Sequence, residues 1–241
     1  SLSFSRKALN AVITVTRVAK AAVDERFAFD LAAAGAERAA VAGADEAGRG
    51  CLAGPLAAAA VCLDYAALDE AGRAALSGLD DSKRLTRERR EALYTEIVRL
   101  ARQVVVVLYS PAVIDRDGLH RCNLRGLARA VEKLDPAPDV ALVDGFRLPD
   151  CTREHRAVVG GDHLSAAVAA ASIVAKVTRD RVMLGQHERH PVYGFDSHVG
   201  YATQSHHAAI CEHGVCELHR LSFASVAYQQ LGLGLETPAE G

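Results

Sequence analysis

Apolar and polar positions alternate along the chain with two periods, and their order predicts an α/β protein. Residues 6–34 repeat apolar positions at helical spacing. The runs VAGAD (41–45) and LAAAAVCL (56–63) read as strands joined through a Gly-Arg-Gly bend, which predicts a hairpin. Thr86 stands as an N-cap, with Glu88 in the first turn, for a helix over RERREALYTEIVRLAR. QVVVVLY (103–109) is a strand. Pro111 opens a short helix that Gly118 ends, and LHRCNLRGLARAVEKL continues as a longer one. VALVDG is a buried strand that ends on Asp144. The longest helical pattern covers 163–190, with Asp162 just before it and Pro191 just after. Nothing repeats and no linker separates two cores. The pattern therefore predicts a helical extension over 1–40, one domain over 41–235 with a helical C-terminal region, and a frayed tail over 236–241.

Composition narrows the class. The chain has 241 residues, 50% of them hydrophobic, 5% aromatic and 24% charged, which suits a folded, Ala-rich protein with a sizeable core. The longest apolar run, LAGPLAAAAVCL, is broken by Gly54 and Pro55 and is too short to span a bilayer. The basic, partly apolar start is cut by Arg17 and has no cleavage pattern, so it reads as helix and not as a signal peptide. Six cysteines without a C-x-x-C pair imply reduced thiols and a cytoplasmic setting. Cys211 and Cys216 lie among His206, His207, His213 and His219, donors that zinc accepts, but at spacings that depart from its structural templates.

A net charge of −2 argues against bulk attraction to nucleic acid. Basic residues nevertheless cluster at Lys83, Arg84, Arg87, Arg89 and Arg90, and again at Lys176, Arg179 and Arg181. Each cluster alone is what a solvated helix face looks like. They gain meaning beside acids. Asp45 and Glu46 end the first strand, Asp144 ends another, and Asp162 precedes the long helix. Such ends converge at the carboxyl edge of an α/β sheet. Carboxylates sharing a small volume need cations, and oxygen-only donors select magnesium or manganese. Two such ions ~3.5–4 Å apart are the usual arrangement for phosphodiester hydrolysis. Asp144 and Asp162, taken singly, are also ordinary turn and cap residues.

The segments DEAGRGCLAGP (45–55), DDSKRL (80–85), LVDGFRLP (142–149), GGDHLSAAVAAASIVAKVTRDRVM (160–183) and YGFDSHVGYAT (193–203), in this order, resemble bacterial ribonuclease HII over residues 28–228. The resemblance implies a ribonuclease H-like fold: a mixed five-stranded sheet flanked by helices, with a helical C-terminal extension closing the substrate cleft. It implies that Asp45, Glu46, Asp144 and Asp162 are the catalytic, metal-binding acids, with Asp45 bridging two ions. It places Gly48, Arg49 and Gly50 at the ribose 2′-hydroxyl and scissile phosphate, and Tyr201 on the deoxyribose that follows. Lys83, Arg84 and Lys176 are candidate phosphate contacts. The implied activity is metal-dependent cleavage of RNA in RNA–DNA hybrids and 5′ of single ribonucleotides in duplex DNA, leaving 3′-hydroxyl and 5′-phosphate ends. Ribonucleotide removal and RNA primer removal by a monomer would follow.

Chemistry agrees with these roles, because telling RNA from DNA requires contact with the 2′-hydroxyl, glycines allow close backbone approach, and a guanidinium fork suits phosphate. Val199 stands where the family often has lysine, which implies a lost phosphate contact. Asp180 reads as structural, and His198 as a packing residue beneath the Tyr201 loop. The tail QQLGLGL (229–235) faintly resembles a sliding-clamp-binding peptide, although a helix running out at Gly232 explains the same residues. A hybrid-binding protein without activity would lack some of the acids. The sister ribonuclease HIII would need an N-terminal substrate-binding domain, for which the segment before Asp45 is too short, and a metal-dependent phosphatase would not need Gly48-Arg49-Gly50 or Tyr201.

Overall fold

The computed structural model describes residues 23–35 and 39–232. Of the helix expected over 6–34, only α1 (Val23–Ala34) falls within the described residues. The tail 236–241 and residues 233–235 of the expected clamp peptide lie outside them.

The hairpin forms as the pattern requires. β1 (Ala40–Ala47) pairs antiparallel with β2 (Leu56–Asp64), Asp45 opposite Ala59. A short helix, α2 (Glu70–Ala75), precedes α3 (Arg87–Leu100), whose first turn is capped by the Thr86 hydroxyl accepting from the Arg89 amide at 3.3 Å. β3 (Gln103–Tyr109) adds to the free side of β2, antiparallel. α4 (Pro111–Asp117) and α5 (Leu119–Glu132) are divided at Gly118, as their sequence demands. β4 (Val140–Asp144) then returns parallel to β1, with Ala44 beside Val143.

The sheet has the five strands that the resemblance implies, but the apolar pattern by itself misses two features. A fifth strand, β5 (His155–Val158), lies parallel to β4 at the sheet edge, giving the order β3-β2-β1-β4-β5. The long helical pattern is also split. Asp162 lies in the one-turn helix α6 (Gly161–Leu164), and α7 (Ala166–His187) starts after Ser165, whose hydroxyl accepts from the Val168 amide at 3.1 Å. Asp162 therefore belongs to its own turn and is not the residue that caps the long helix. The C-terminal layer follows as α8 (Phe195–His198), α9 (Gln204–His213) and α10 (Val226–Gln230).

The sheet is a sandwich filling between α7 and α5, and its small residues make that possible. Val41, Ala59, Val61 and Leu142 pack toward α7, whereas Ala42, Ala44, Ala58 and Ala60 pack toward Leu127 and Val131 of α5. Gly43 has no room for a side chain, since a Cβ there would lie 2.0 Å from the backbone of Ala167. Strand alternation then fixes the acids. Asp45 and Asp144 follow the parity of the α7 face, and Glu46 follows that of the α5 face.

Candidate active site

Both members of the acid pair point into a layer of the fold, each with its own polar partner. Asp45 is buried, accepts from the Glu46 amide at 2.7 Å, and is hydrogen-bonded by the hydroxyl of Ser172 on α7. Ser172 is in turn 2.9 Å from the Ser82 hydroxyl. Glu46 bonds Arg49 Nη1 at 3.2 Å and faces the side chain of Asn123 on α5, whose amide makes no hydrogen bond of its own. One strand end thus serves two faces.

The other two acids join on the α7 side. Asp144 sits beside Asp45 through the parallel β1–β4 pairing, and its Oδ1 accepts from the Gly161 amide at 2.8 Å, which ties β4 to α6. Asp162 extends the group toward Asp81 and His163, the three offering ligand atoms within 4.8 Å of one another. Burial raises all four carboxyls above the ordinary range. Glu46 and Asp144 push Asp45 up further, and Asp162 pushes Asp144. Arg49 opposes the shift at Glu46, and His163 and Lys83 oppose it at Asp162. Glu46 Oε2 is sealed from solvent without any hydrogen-bond partner. Hard oxygen donors that repel one another, one with an orphaned atom, fit a divalent cation.

The loop after β1 is held from below by two buried arginines. Arg179 of α7 donates to Pro55 O at 3.0 Å, Ala53 O at 2.9 Å and Val199 O at 2.9 Å. Arg220 donates to Gly54 O at 2.9 Å and Arg49 O at 3.1 Å. Arg179 is therefore interior, not part of a basic surface. The two glycines differ as well. Gly48, at φ +91°, leaves the space that Arg179 fills, since a Cβ there would stand 2.1 Å from Nε. A Cβ at Gly50 would meet nothing within 4 Å, so the open side of the loop lies there. Arg49 is exposed and stacks 5.0 Å from the Phe146 ring.

Tyr201 adjoins this loop through a hydrogen bond from its hydroxyl to the Cys51 thiol, and stays 37% exposed. Lys176 lies 5.1 Å from its ring and is paired with Asp180 at 2.9 Å, so both are engaged beneath it. Lys83 and Arg84 are exposed, Lys83 close enough to act on Asp144 and Asp162, Arg84 on Asp80. His198 packs under the loop. Its Nε2 donates to Tyr193 O at 2.8 Å and its Nδ1 accepts from the Gly200 amide at 3.2 Å.

Sequence reasoning passed over Ser172, Asn123 and Arg220. Asn123 left a trace: it is a polar residue one turn before Leu127 on the buried stripe of α5. The donor set considered for zinc does not assemble. His206 and His219 hydrogen-bond to each other at 3.2 Å, and Cys211 bonds Gln230.

The sequence model of the family described as Ribonuclease HII matches residues 42–226. Ribonuclease HII of Xanthobacter autotrophicus is 53% identical over 196 residues, covering 81% of this chain and 76% of that protein. The crystal structure of the ribonuclease H2 from Pyrococcus horikoshii OT3 superposes with a TM-score of 0.68 at 26% identity, over 80% of this chain and 98% of that one. The RNase HII of Archaeoglobus fulgidus, solved in complex with PCNA, gives 0.65 at 28% identity, over 77% of this chain and 96% of that one. By the match over residues 42–226 and the identity to its relatives, the chain belongs to the ribonuclease HII family.

Proposed function

We propose that the protein is a divalent-metal-dependent endonuclease that cleaves the RNA strand of RNA–DNA hybrids and cuts 5′ of single ribonucleotides in duplex DNA. Family membership supports the broader part of this reading, a ribonuclease of the H type. The observation that carries the reaction is the cluster of Asp45, Glu46 and Asp144 at the adjoining ends of β1 and β4 with Asp162 of α6, all with carboxyls raised by burial.

These four acids are the residues that would hold the cations, magnesium or manganese and two per site. When bound, the ions would neutralise the cluster and supply Lewis-acid activation for hydrolysis. The protein's part is positioning. The Ser172 hydroxyl and the Gly161 N–H each hold one carboxylate, with the Asn123 amide beside a third, so that the acids meet substrate with their orientation largely fixed. Arg49, exposed on the open side of the loop between Glu46 and Phe146, would turn its fork to the scissile phosphate while Arg220 anchors its carbonyl. Backbone at Gly48-Arg49-Gly50 would meet the 2′-hydroxyl, which both donates and accepts. The exposed face of Tyr201 would stack on the next deoxyribose without reading its base. Water attack on the phosphorus then leaves 3′-hydroxyl and 5′-phosphate ends.

Lys83, Arg84 and Lys176 are the proposed backbone contacts, Lys83 doubling as a counter-charge to the acids. Removal of ribonucleotides and RNA primers from DNA is the corresponding role, with a sliding-clamp contact through 229–235 as its proposed recruitment. Among the described residues no helix is long and apolar enough to cross a membrane.

The test uses three duplexes in magnesium: all DNA, DNA with one embedded ribonucleotide, and a continuous RNA–DNA hybrid. The proposal expects cutting of the second and third and none of the first. Cleavage of all-DNA duplex at a comparable rate would overturn the assignment of the loop and Tyr201 to sugar recognition.

A further inference from the structure

Away from the acids, three side chains of different chemistry converge on one point. His190 follows the end of α7, and Cys216 and Glu217 follow α9, so the two segments are far apart in sequence. Their ligand atoms, one imidazole nitrogen, one sulfur and one carboxylate oxygen, all lie within 4.8 Å of one another. His190 Nε2 stands 3.2 Å from Glu217 Oε1, yet it is sealed from solvent and makes no well-aligned hydrogen bond. A buried nitrogen held close to a thiol and a carboxylate without a hydrogen bond calls for an occupant that all three can share. The Tyr193 ring and the His219 imidazole close the inner side, with Cys216 Sγ 3.3 Å from His219 Nδ1.

We propose that His190, Cys216 and Glu217 form a second cation site, selective for zinc, which clips the segment after α9 to the end of α7. The donor set decides the metal. Sulfur and imidazole select zinc over magnesium or manganese, while the oxygen-only cluster at Asp45 has the opposite preference. Three protein ligands leave the fourth tetrahedral position to water. On binding, the Cys216 thiol releases its proton to solvent as the sulfur–metal bond forms. The clip also sits at the foot of a relay. The Cys216 amide donates to His219 Nδ1 at 2.9 Å, His219 Nε2 donates to His206 Nε2 at 3.2 Å, and His206 Nδ1 donates to the carbonyl of Tyr201 at 2.9 Å. Fixing Cys216 therefore steadies the carbonyl of the residue proposed to stack on substrate.

The experiment titrates the full-length, metal-stripped protein with Co²⁺ in excess Mg²⁺ and follows near-ultraviolet absorption from thiolate coordination, then displaces the cobalt with Zn²⁺. The expected result is a thiolate band that Zn²⁺ removes and that Cys216→Ser abolishes. Cys211→Ser leaves the band in place, since Cys211 lies outside the cluster. His190→Ala and Glu217→Gln keep a folded protein whose Zn²⁺ affinity falls at least about tenfold, the lower end of what loss of even an outer-shell partner costs. No thiolate band in the wild-type protein, or a band undiminished in Cys216→Ser, overturns the site. The readout does not involve cleavage, so failure of the nuclease reading would leave it unaffected.

Discussion

At the carboxyl end of β1 the molecule buries acids, and in the layer around α7 and the C-terminal segments it buries bases, but it treats the two kinds of charge in opposite ways. Asp45 has a serine and an amide for company and is pushed up by its burial and by Glu46 and Asp144. Arg179, equally buried, spends its donors on three backbone carbonyls. His206 and His219 go further and are kept neutral, burial lowering both to about 4. The basic layer turns most of its donors onto its own backbone and imidazoles, although Arg220 Nη2 and His190 Nε2 keep no hydrogen-bond partner. The acid end is left with like charges and an orphaned Glu46 oxygen, which is a sensible arrangement only for a site completed from outside. A scaffold that holds a loop in place should be closed to solvent and self-sufficient, whereas a reaction centre should not.

The sharpest way to break this contrast is to neutralise one member on each side. Asp144→Asn is expected to lower cleavage by at least about a thousandfold, several kcal/mol of lost charge stabilisation, without lowering stability in the absence of divalent cations. A variant that unfolds instead would show that the acid end is scaffold. Arg179→Met should do the reverse and cost roughly 3–9 kcal/mol in urea denaturation, because three buried carbonyls left without a donor lose about 1–3 kcal/mol each. If it unfolds at the wild-type midpoint, the arginine braces nothing.

The pH dependence separates the regions by sign. Folded His206 and His219 bind protons only near 4, against 6.5 when unfolded, so their contribution is lost as pH falls through that window and stability rises with pH across it. A buried carboxyl with a raised value acts the other way, since the folded state holds the extra proton and stability falls as pH rises above the ordinary 3.8. Asp45→Asn should therefore steepen the rise in stability between about pH 4 and 6.5. An unchanged slope would mean that Asp45 is not strained by its neighbours. The smallest effect is expected at Val199, a β-branched residue at φ 44° whose carbonyl accepts from Arg179 in the brace. Val199→Gly should raise stability by about 1 kcal/mol in the same denaturation assay, by relieving the left-handed backbone.

Much of the acid end was legible because its signals are local. An apolar run ending in Asp45-Glu46, another ending in Asp144, and the Thr86 cap each lie within a few residues of sequence, and the hairpin and parallel pairing follow from them. The basic layer was not, because its chemistry is long-range. Arg179 looks like any helix-surface arginine until its partners, 124 and 126 residues earlier, are brought beneath it. β5 escaped notice for a related reason: four residues at a sheet edge, with His155 and Arg156 among them, show no apolar alternation. Ser165 was hidden inside a continuous apolar pattern that its own side chain interrupts by capping α7.

The central claim is that the acid cluster, with cations, cuts at a ribonucleotide. The most direct measurement is cleavage of duplex DNA carrying one ribonucleotide, with product ends mapped, for wild-type protein and Asp144→Asn, with and without Mg²⁺ or Mn²⁺. The expected result is cutting 5′ of the ribonucleotide to 3′-hydroxyl and 5′-phosphate ends, only by the wild-type protein and only with the cation. Comparable cutting by Asp144→Asn, or by the wild-type protein stripped of divalent ions, would contradict it.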